Sequence, residues 1–421
     1  MDRTIAPKVN QIADIHIPSV ERSQLDCGIE VFYVQEASAE AFKIEALHQG
    51  GFLHLPSAST SSLLNKLLTE GTMRFPGKTF LDTVDGLGSF VESAPSFDHG
   101  MLSLFGLSRF FKENIALFAS VLYESEFKAE RLTQLKKKET NRIKLNQEKG
   151  SYLTSTALRK RLFGSHPYGY TAKIQDVLDL DIGDLKTLYR TKIQSFSLFL
   201  SGHLPQDFLS ILNEQFNRAY ADEASPFSVR DTITPAHYEK RDDKYVQSSI
   251  RLGKELFNRT HKDYSAFMLL NEILGGYFGS RLMKNIREDK GYTYGISSHL
   301  YALKETGYFT IGTEVNQEAE ADTLKQIQLE FDLLRNELVS EEELSTVKNY
   351  ILGSFANSLS APFATIDKFK TLYTQGLDLS FYDAYLADFR ALTSHDILHT
   401  AQKYLDFDGL TKAIVGRPYP F

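Results

Sequence analysis

An internal repeat is the feature of this 421-residue sequence that most restricts its fold. Each half runs through one order of predicted elements: strands, an opening helix, a second helix, a hairpin, long helices, a capped helix and a final strand. The opening helices also share letters, Leu63-Leu64-Asn65 in the first half and Leu269-Leu270-Asn271 in the second. A repeat of about 200 residues predicts two structurally related domains instead of one large core.

The predicted elements come from the spacing of apolar residues. In the first half they are a strand pair within residues 24–56, helices at 60–70, 79–87, 110–123, 130–147 and 181–191, a hairpin at 89–94 and 100–107, and a last strand at 196–202. In the second half they are strands at 246–252, 292–300, 307–313 and 411–416 and helices at 264–274, 281–288, 318–338, 341–356 and 393–404.

A polar segment separates the two halves. Residues 222–243 contain Pro226, Pro235 and the mixed-charge run Glu239-Lys240-Arg241-Asp242-Asp243. Prolines and charges of both signs are typical of a linker. We therefore expect an N-terminal domain at residues 1–221 and a C-terminal domain at residues 244–421.

Composition narrows the class of protein. Apolar residues make up 42% of the chain and aromatic residues 12%, which is ample for packed cores. The net charge of −7 argues against nucleic acid or an anionic membrane as the main partner. The sequence has neither the apolar core of a signal peptide nor a run of ~18 apolar residues. A cytoplasmic location is the default expectation, or a periplasmic one if a signal sequence had been removed. The chain has a single cysteine, Cys27, which fits a reducing compartment and cannot form an internal disulfide.

The opening helix carries the most informative residues. At about 100° per residue, the leucines of Leu63-Leu64 and Leu67-Leu68 share one side, and Ser62, Asn65, Lys66 and Thr69 share the other. Thr60, Ser61 or Ser62 is expected to cap the N-terminus, and Gly71 to end the helix in the left-handed conformation.

This stretch resembles the active-site helix of the M16 zinc peptidases, the pitrilysin, insulinase and mitochondrial processing peptidase family. Those enzymes carry His-x-x-Glu-His where this chain has Ser62-Leu63-Leu64-Asn65-Lys66. Serine is a poor zinc ligand, asparagine is no base, and lysine places an ammonium where the metal would sit. The resemblance thus implies a member without zinc chemistry. The alternative is that these are ordinary solvent-facing residues of a fold that never held metal.

The resemblance implies an α+β fold of two related domains, each a mixed, mainly antiparallel sheet packed with helices. It also implies a third zinc ligand, a glutamate in a helix before a turn such as His166-Pro167-Tyr168-Gly169. Counting back from this turn, the ligand position falls at Asn141 or Arg142, neither of which replaces a carboxylate; Glu139 is a weaker candidate one helical step away.

The histidines do not suggest a metal site. His395 and His399 have metal-ligand spacing, but capping of a helix start by Thr393 with Asp396 explains this segment better. Three further histidines, His48, His54 and His99, are expected to be solvated or packed. We therefore expect neither a metal nor another cofactor on this chain.

The second half retains what the first has lost. The segment Ser280-Arg281-Leu282 followed by Arg287-Glu288 and, after Gly291, by Tyr294 is similar to the C-terminal signature of the M16 family. There the arginine and the tyrosine hold the substrate backbone and the developing oxyanion, roles that suit a guanidinium and a phenol. The alternative is an ion pair among Arg287, Glu288 and Asp289 with a core tyrosine.

Three functional hypotheses follow from the resemblance. The first is an inactive homologue that serves as the substrate-binding subunit of a two-chain zinc peptidase, with extended peptide added to a sheet edge. Its partner would be a zinc-bearing M16 chain, since one two-domain unit encloses only half a chamber; self-association is the other possibility. The second hypothesis is a non-catalytic scaffold or assembly protein, and the third an active peptidase with atypical ligands.

Overall fold

A computed structural model describes residues 15–36, 39–218, 237–361 and 363–419, and these form two mixed sheets covered by helices. The strands of the first sheet are β1 (Glu21–Gln24), β2 (Glu30–Gln35), β3 (Ala41–His48), β4 (Phe90–Pro95), β5 (Gly100–Leu107) and β6 (Phe196–Gly202). Those of the second sheet are β7 (Tyr238–Arg241), β8 (Gln247–Leu256), β9 (Ile296–Ala302), β10 (Gly307–Asn316) and β11 (Thr411–Gly416).

Both sheets have one topology. The first has the order β1-β2-β6-β3-β5-β4 and the second β7-β11-β8-β10-β9. Strands β2 and β6 are parallel, as are β7 and β11, and every other pair is antiparallel. Strand β1 is an additional edge strand of the first sheet. The other strands correspond one to one, since β2, β6, β3, β5 and β4 occupy the places of β7, β11, β8, β10 and β9. The predicted α+β class with two related, mainly antiparallel sheets is confirmed.

Helices cover both sheets. Those of the first half are α1 (Ala58–Leu68), α2 (Lys78–Gly86), α3 (Phe111–Glu124), α4 (Ala129–Gln147), α5 (Gly150–Phe163), α6 (Ile174–Asp179), α7 (Ile182–Leu188) and α8 (Phe208–Gln215). Those of the second half are α9 (Tyr264–Asn271), α10 (Glu320–Asn336), α11 (Glu341–Ser358), α12 (Ala364–Tyr373), α13 (Ser380–Ala391) and α14 (Ser394–Tyr404). Wider π-type turns continue α7 and α9 and form the segment Met283–Asp289. No helix within the described ranges combines the length and apolar character needed to cross a bilayer.

Three expectations need correction. The strands predicted as a pair within residues 24–56 are not neighbours, because β6 lies between β2 and β3. Helices α5, α6, α8, α12 and α13 were not predicted. Within the expected linker, Tyr238–Arg241 form the edge strand β7, while residues 222–236 lie outside the described part of the chain.

Two of the unpredicted helices join the halves. Helix α5 of the first half lies on the second sheet, where Leu158 packs in one apolar cluster with Tyr308 and Ala413. Helix α12 of the second half lies on the first sheet, where Ile366 packs with Phe32 and Phe199. Each half therefore covers one face of the other half's sheet, so burial of apolar surface in both clusters holds the two halves together.

A buried group of charges reinforces the contact of α12 with the first sheet. Lys43 and Glu45 of β3 are 3% and 2% exposed. Asp367 Oδ1 accepts hydrogen bonds from Lys43 Nζ at 2.5 Å and from Lys370 Nζ at 3.0 Å, and Lys370 also pairs with Glu45. Ser103 Oγ donates to Glu45 Oε1 at 3.0 Å. Two cations and two anions thus neutralise one another, with Lys43, Glu45 and Lys370 buried and Asp367 at the partly exposed edge of the group.

Candidate functional site

Helix α1 holds the three residues that replace the zinc motif. Ser57 caps its N-terminus by accepting a hydrogen bond from the Thr60 amide at 3.1 Å, so the helix begins one turn earlier than expected. Its four leucines are fully buried, as predicted from their spacing. Beyond its end, Gly71 has a φ of +130°, and a Cβ there would lie 2.5 Å from the Gly77 nitrogen, so only glycine fits this turn.

Asn65 is fully buried, so the alternative of an ordinary solvent-facing residue does not hold for this position. Its Nδ2 donates to the carbonyl oxygens of Gly50 at 3.0 Å and Ser61 at 2.9 Å, and its Oδ1 accepts from Ser93 Oγ at 3.0 Å. The amide side chain thereby ties α1 to the segment after β3 and to β4. A group held by three hydrogen bonds and without a basic oxygen cannot take a proton from water.

Lys66 occupies the position of the second family histidine, and it pairs with a buried carboxylate. Its Nζ lies 2.6 Å from Oε2 of Glu139, which is 1% exposed and lies in α4. Arg142 donates two hydrogen bonds to the same carboxylate, one from Nε to Oε2 at 3.0 Å and one from Nη2 to Oε1. Burial by itself would raise the pKa of Glu139, but Arg142 and Lys66 outweigh it and hold the pKa below its ordinary value. The carboxylate is therefore ionised and already neutralised by protein cations.

This geometry favours Glu139 over the two positions found by counting back from residue 166. Of the three residues, Glu139 and neither Asn141 nor Arg142 bonds to Lys66 of α1. Asn141 is exposed, and Arg142 approaches the site only as a partner of Glu139. A helix turns by about 100° per residue, so an error of two or three positions moves the assignment to another face.

The residues of this site do not fit a zinc ion. Ser62 offers a neutral hydroxyl, and the Lys66 ammonium occupies the space beside the Glu139 carboxylate, where a metal ion would have to bind. In the part of the chain that the structure describes, no group of three or more His, Cys, Asp or Glu side chains is arranged to hold a metal ion.

Introducing two histidines should restore metal binding if Glu139 stands at the third ligand position. The combined variant Ser62→His with Lys66→His is expected to bind zinc stoichiometrically, because positions 62 and 66 share a helix face beside Glu139. Metal content after dialysis measures this, with the natural chain as control. Adding Glu139→Gln should weaken binding about tenfold or more, whereas Asn141→Asp should have no effect; equal zinc affinity with and without Glu139 would contradict the assignment.

Arg287 and Tyr294 lie at the surface of the second half. Tyr294 is 95% exposed and is therefore not a core tyrosine. The Arg287 guanidinium carbon lies 4.4 Å from the ring centre of Phe278, which is 62% exposed. Within the described residues no carboxylate lies within ion-pair distance of Arg287, so the alternative of an ion pair with Glu288 or Asp289 does not hold.

Tyr294 borders a cavity of about 290 Å³ that the sequence did not indicate. The cavity lies on the second sheet beside the N-terminal turn of α5, and Arg251 of β8 also lines it. Its hydroxyl-bearing lining residues are Ser151, Thr154, Ser249, Thr293, Ser297 and Thr313. Arg287 is not among the lining residues. The alternation of side chains along β8 indicates which face of the sheet carries Arg251. It does not indicate a cavity, because the cavity exists only where α5, a helix that was not predicted, covers that face.

The histidines divide into two groups. His395 and His399 lie in α14, whose start has the predicted capping box of Thr393 with Asp396. His48, His54 and His99 line a cavity of about 590 Å³ at one end of the first sheet. Burial, with a smaller effect of His99, lowers the pKa of His48 to about 3, and burial with nearby cations lowers the pKa of His99 to about 4. Both rings are neutral at physiological pH.

Comparisons with known proteins find similarity to one family. The model of the "Peptidase M16 inactive domain" matches residues 185–351. The chain is 22% identical over 393 residues to the "Non-peptidase homolog YmxG" of Helicobacter pylori, covering 87% of this chain and 88% of that protein. It is 23% identical over 309 residues to the "Uncharacterized zinc protease YmxG" of Bacillus subtilis, covering 72% of this chain and 74% of that protein.

Solved structures show the same fold. The peptidase M16 inactive domain protein from Pseudomonas fluorescens superposes with a TM-score of 0.87 at 23% identity, covering 96% of this chain and 99% of that one. A protease from Helicobacter pylori also gives 0.87, at 18% identity, covering 96% and 100%.

Proposed function

We propose that this chain, which is similar to the peptidase M16 inactive domain over residues 185–351 and lacks the zinc-binding motif, is the substrate-binding subunit of a two-chain zinc peptidase. A zinc-bearing M16 chain would supply the metal and the general base. This chain would hold peptides or unfolded segments against them. The observation that carries the proposal is the contrast between the two halves: in the first half Lys66 pairs with Glu139 where the family motif binds metal, while the second half keeps the signature tyrosine fully exposed and the signature arginine partly exposed.

The first half cannot cleave a peptide bond by the family's mechanism. That mechanism needs a metal-bound water and a carboxylate that removes its proton. Lys66 is committed to Glu139 and Asn65 to three hydrogen bonds, so neither is available for this chemistry. Cleavage must therefore come from the partner.

Strand β4 is suited to bind an extended peptide. It is the edge of the first sheet and pairs only with β5 among the described strands, so its outer backbone groups are open to another strand. Ser93 of β4 bonds to Asn65 of α1, which fixes the strand beside the helix that carries Ser62 and Lys66. A peptide added to β4 would consequently run past the position that zinc occupies in active relatives.

Arg287 and Tyr294 are the second binding element of the proposal. A guanidinium without an ion-pair partner offers several donors to peptide carbonyls, and an exposed phenol offers one more donor without adding charge. In a two-chain enzyme these donors would face the zinc site of the partner chain. There they would stabilise the oxyanion that forms as water attacks the carbonyl.

Peptidase assays of the mixed chains test this proposal. Activity on an unstructured peptide is expected only when this chain is copurified with a zinc-bearing M16 chain encoded beside it. Arg287→Ala or Tyr294→Phe should each lower kcat/KM at least about tenfold, roughly 1.4 kcal/mol of transition-state stabilisation. Lys284→Ala, on the same helical segment, and Tyr301→Phe, another partly exposed tyrosine, serve as matched controls and should leave the rate unchanged.

Three outcomes would contradict the proposal. Unchanged rates in both Arg287→Ala and Tyr294→Phe would remove the role given to these residues. A stable complex with the zinc-bearing chain that hydrolyses nothing would favour the scaffold or assembly function. Hydrolysis by this chain alone that a chelator abolishes would instead indicate an active peptidase with atypical ligands.

A further inference from the structure

Arg251 carries a charge that the described part of the protein does not neutralise by direct contact. Its Nε is buried without a hydrogen-bond partner, and none of the ion pairs among the described residues includes it. The guanidinium lies across Gly312 of β10, where a Cβ would stand 2.5 Å from its Nη1. Glycine at this position is therefore what allows the arginine to lie flat on the floor of the 290 Å³ cavity.

The duplicated sheet supplies an internal comparison. Lys43 of β3 lies opposite Ser201, the residue before the last glycine of β6. In the same way, Ser249 of β8 lies opposite Val415, the residue before the last glycine of β11. Two residues further along these strands, Glu45 and Arg251 occupy equivalent positions. Each faces the helix that the other half contributes.

The two positions differ in how the charge of the side chain is neutralised. Glu45 is neutralised by Lys370 of α12 and by Lys43 at 3.1 Å. Helix α5 brings no acidic side chain to Arg251; it brings Ser151 and Thr154, which leave space in front of the guanidinium. The first sheet thus closes this position with ion pairs, and the second leaves it open as a cavity.

The rest of the lining favours an anion of modest size. The single carboxylate, Glu314, accepts a hydrogen bond from Ser249 Oγ at 2.9 Å and forms no ion pair with Arg251. The hydroxyl groups of Thr154, Thr293 and Thr313 already donate to backbone carbonyls, whereas that of Ser151, which also lines the cavity, can donate to a further anion oxygen. Burial lowers the pKa of Arg251, as expected for a cation whose counter-ion is missing, although it remains charged because an arginine guanidinium does not deprotonate in proteins.

We propose that this cavity binds the C-terminal carboxylate of a peptide. The planar guanidinium matches a carboxylate in a two-point contact. The rim residue Tyr294 connects the cavity to the peptide-binding surface, so the inference rests on the proposed function and specifies which end of the substrate this chain recognises. A cavity of about 290 Å³ accepts one terminal residue and leaves the remainder of the peptide at the rim.

Direct binding to the full chain, without any partner, tests this inference. A fluorescent unstructured peptide with a free C-terminus should bind at least tenfold more tightly than the same peptide amidated at its C-terminus. Arg251→Gln should abolish this difference while leaving the affinity for the amidated peptide unchanged, and Arg251→Lys should retain part of it. The exposed Arg190→Gln is the matched control and should behave as the natural chain.

The outcomes separate the two proposals. Equal affinity for both peptides, or a preference that survives Arg251→Gln, would overturn the carboxylate site and leave the peptide-binding function standing. If neither peptide binds, the proposed function fails, and N-acetylglycine then tests the cavity alone: a shift of the Arg251 side-chain NMR signal supports the site, and no shift overturns it. Tighter binding of inorganic phosphate than of N-acetylglycine would also overturn the assignment to a carboxylate.

Discussion

Replacement of Glu45 by glutamine is expected to lower the free energy of unfolding by about 3–5 kcal/mol, the usual cost of removing one partner of a buried ion pair. Lys43 and Lys370 would be left with Asp367 as their only carboxylate among the four charges. Since the two ammonium groups are buried, water cannot replace the missing anion. Urea unfolding measures the change.

The matched control is Glu92→Gln, which removes the same charge from an exposed position of β4 in the same sheet. It should change stability by no more than about 0.5 kcal/mol. If Glu45→Gln cost as little, the four charges would not be what fixes α12 to the first sheet. Because Lys370 and Asp367 belong to α12, we also expect faster proteolysis of this helix in the Glu45 variant than in the control.

The charge cluster also predicts loss of stability in acid. Burial would raise the pKa of Asp367, but Lys370 and Lys43 outweigh burial and hold the pKa below its ordinary value. A carboxyl whose pKa is lowered by folding stabilises the protein above its unfolded pKa of about 3.9 and loses this effect as the pH falls through the folded value. The loss of stability caused by Asp367 is therefore confined to strongly acidic conditions, and the contribution is complete at neutral pH.

The repeat could be predicted because its signals are local. Alternating apolar residues mark β3, β5 and β10, and the leucines of α1 repeat at helical spacing, so each element follows from a short window of sequence. Helices α5 and α12 escaped prediction because their partners belong to the opposite half. In α12 a charged residue, Lys370, is buried, and the spacing of apolar residues cannot predict the burial of a charged side chain.

The candidate site shows the same division. The loss of the zinc motif can be predicted from Ser62 and Lys66, because it depends on residue type alone. Burial of Asn65 depends on the carbonyl of Gly50 and on Ser93, and the pairing of Glu139 depends on how α4 crosses α1. Such contacts come from tertiary packing, which no spacing rule across intervening loops determines.

Lowering the pH from about 6.5 to 4.5 is expected to cost about 4 kcal/mol of folding stability, chiefly through His48 and His99. Folding lowers their pKa values to about 3 and about 4, against about 6.5 in the unfolded chain. In this window the unfolded state binds protons that the folded state does not, so their contribution is complete above pH 6.5 and declines by about 1.4 kcal/mol per pH unit for each histidine. Asp98, whose pKa is raised by burial, opposes part of the change.

Substitution of one histidine isolates its share of this pH dependence. The His48 ring is fully buried, and its Nδ1 accepts a hydrogen bond from the Gly50 amide at 3.1 Å, so a second proton on the ring is disfavoured in the folded protein. His48→Gln should therefore remove about 2 kcal/mol of the loss between pH 6.5 and 4.5, as measured by urea unfolding at each pH. His395→Gln, at an exposed position, is the control and should keep the natural slope. An identical slope in the His48 variant would mean that this histidine is protonated in the folded protein, with water reaching the end of the first sheet.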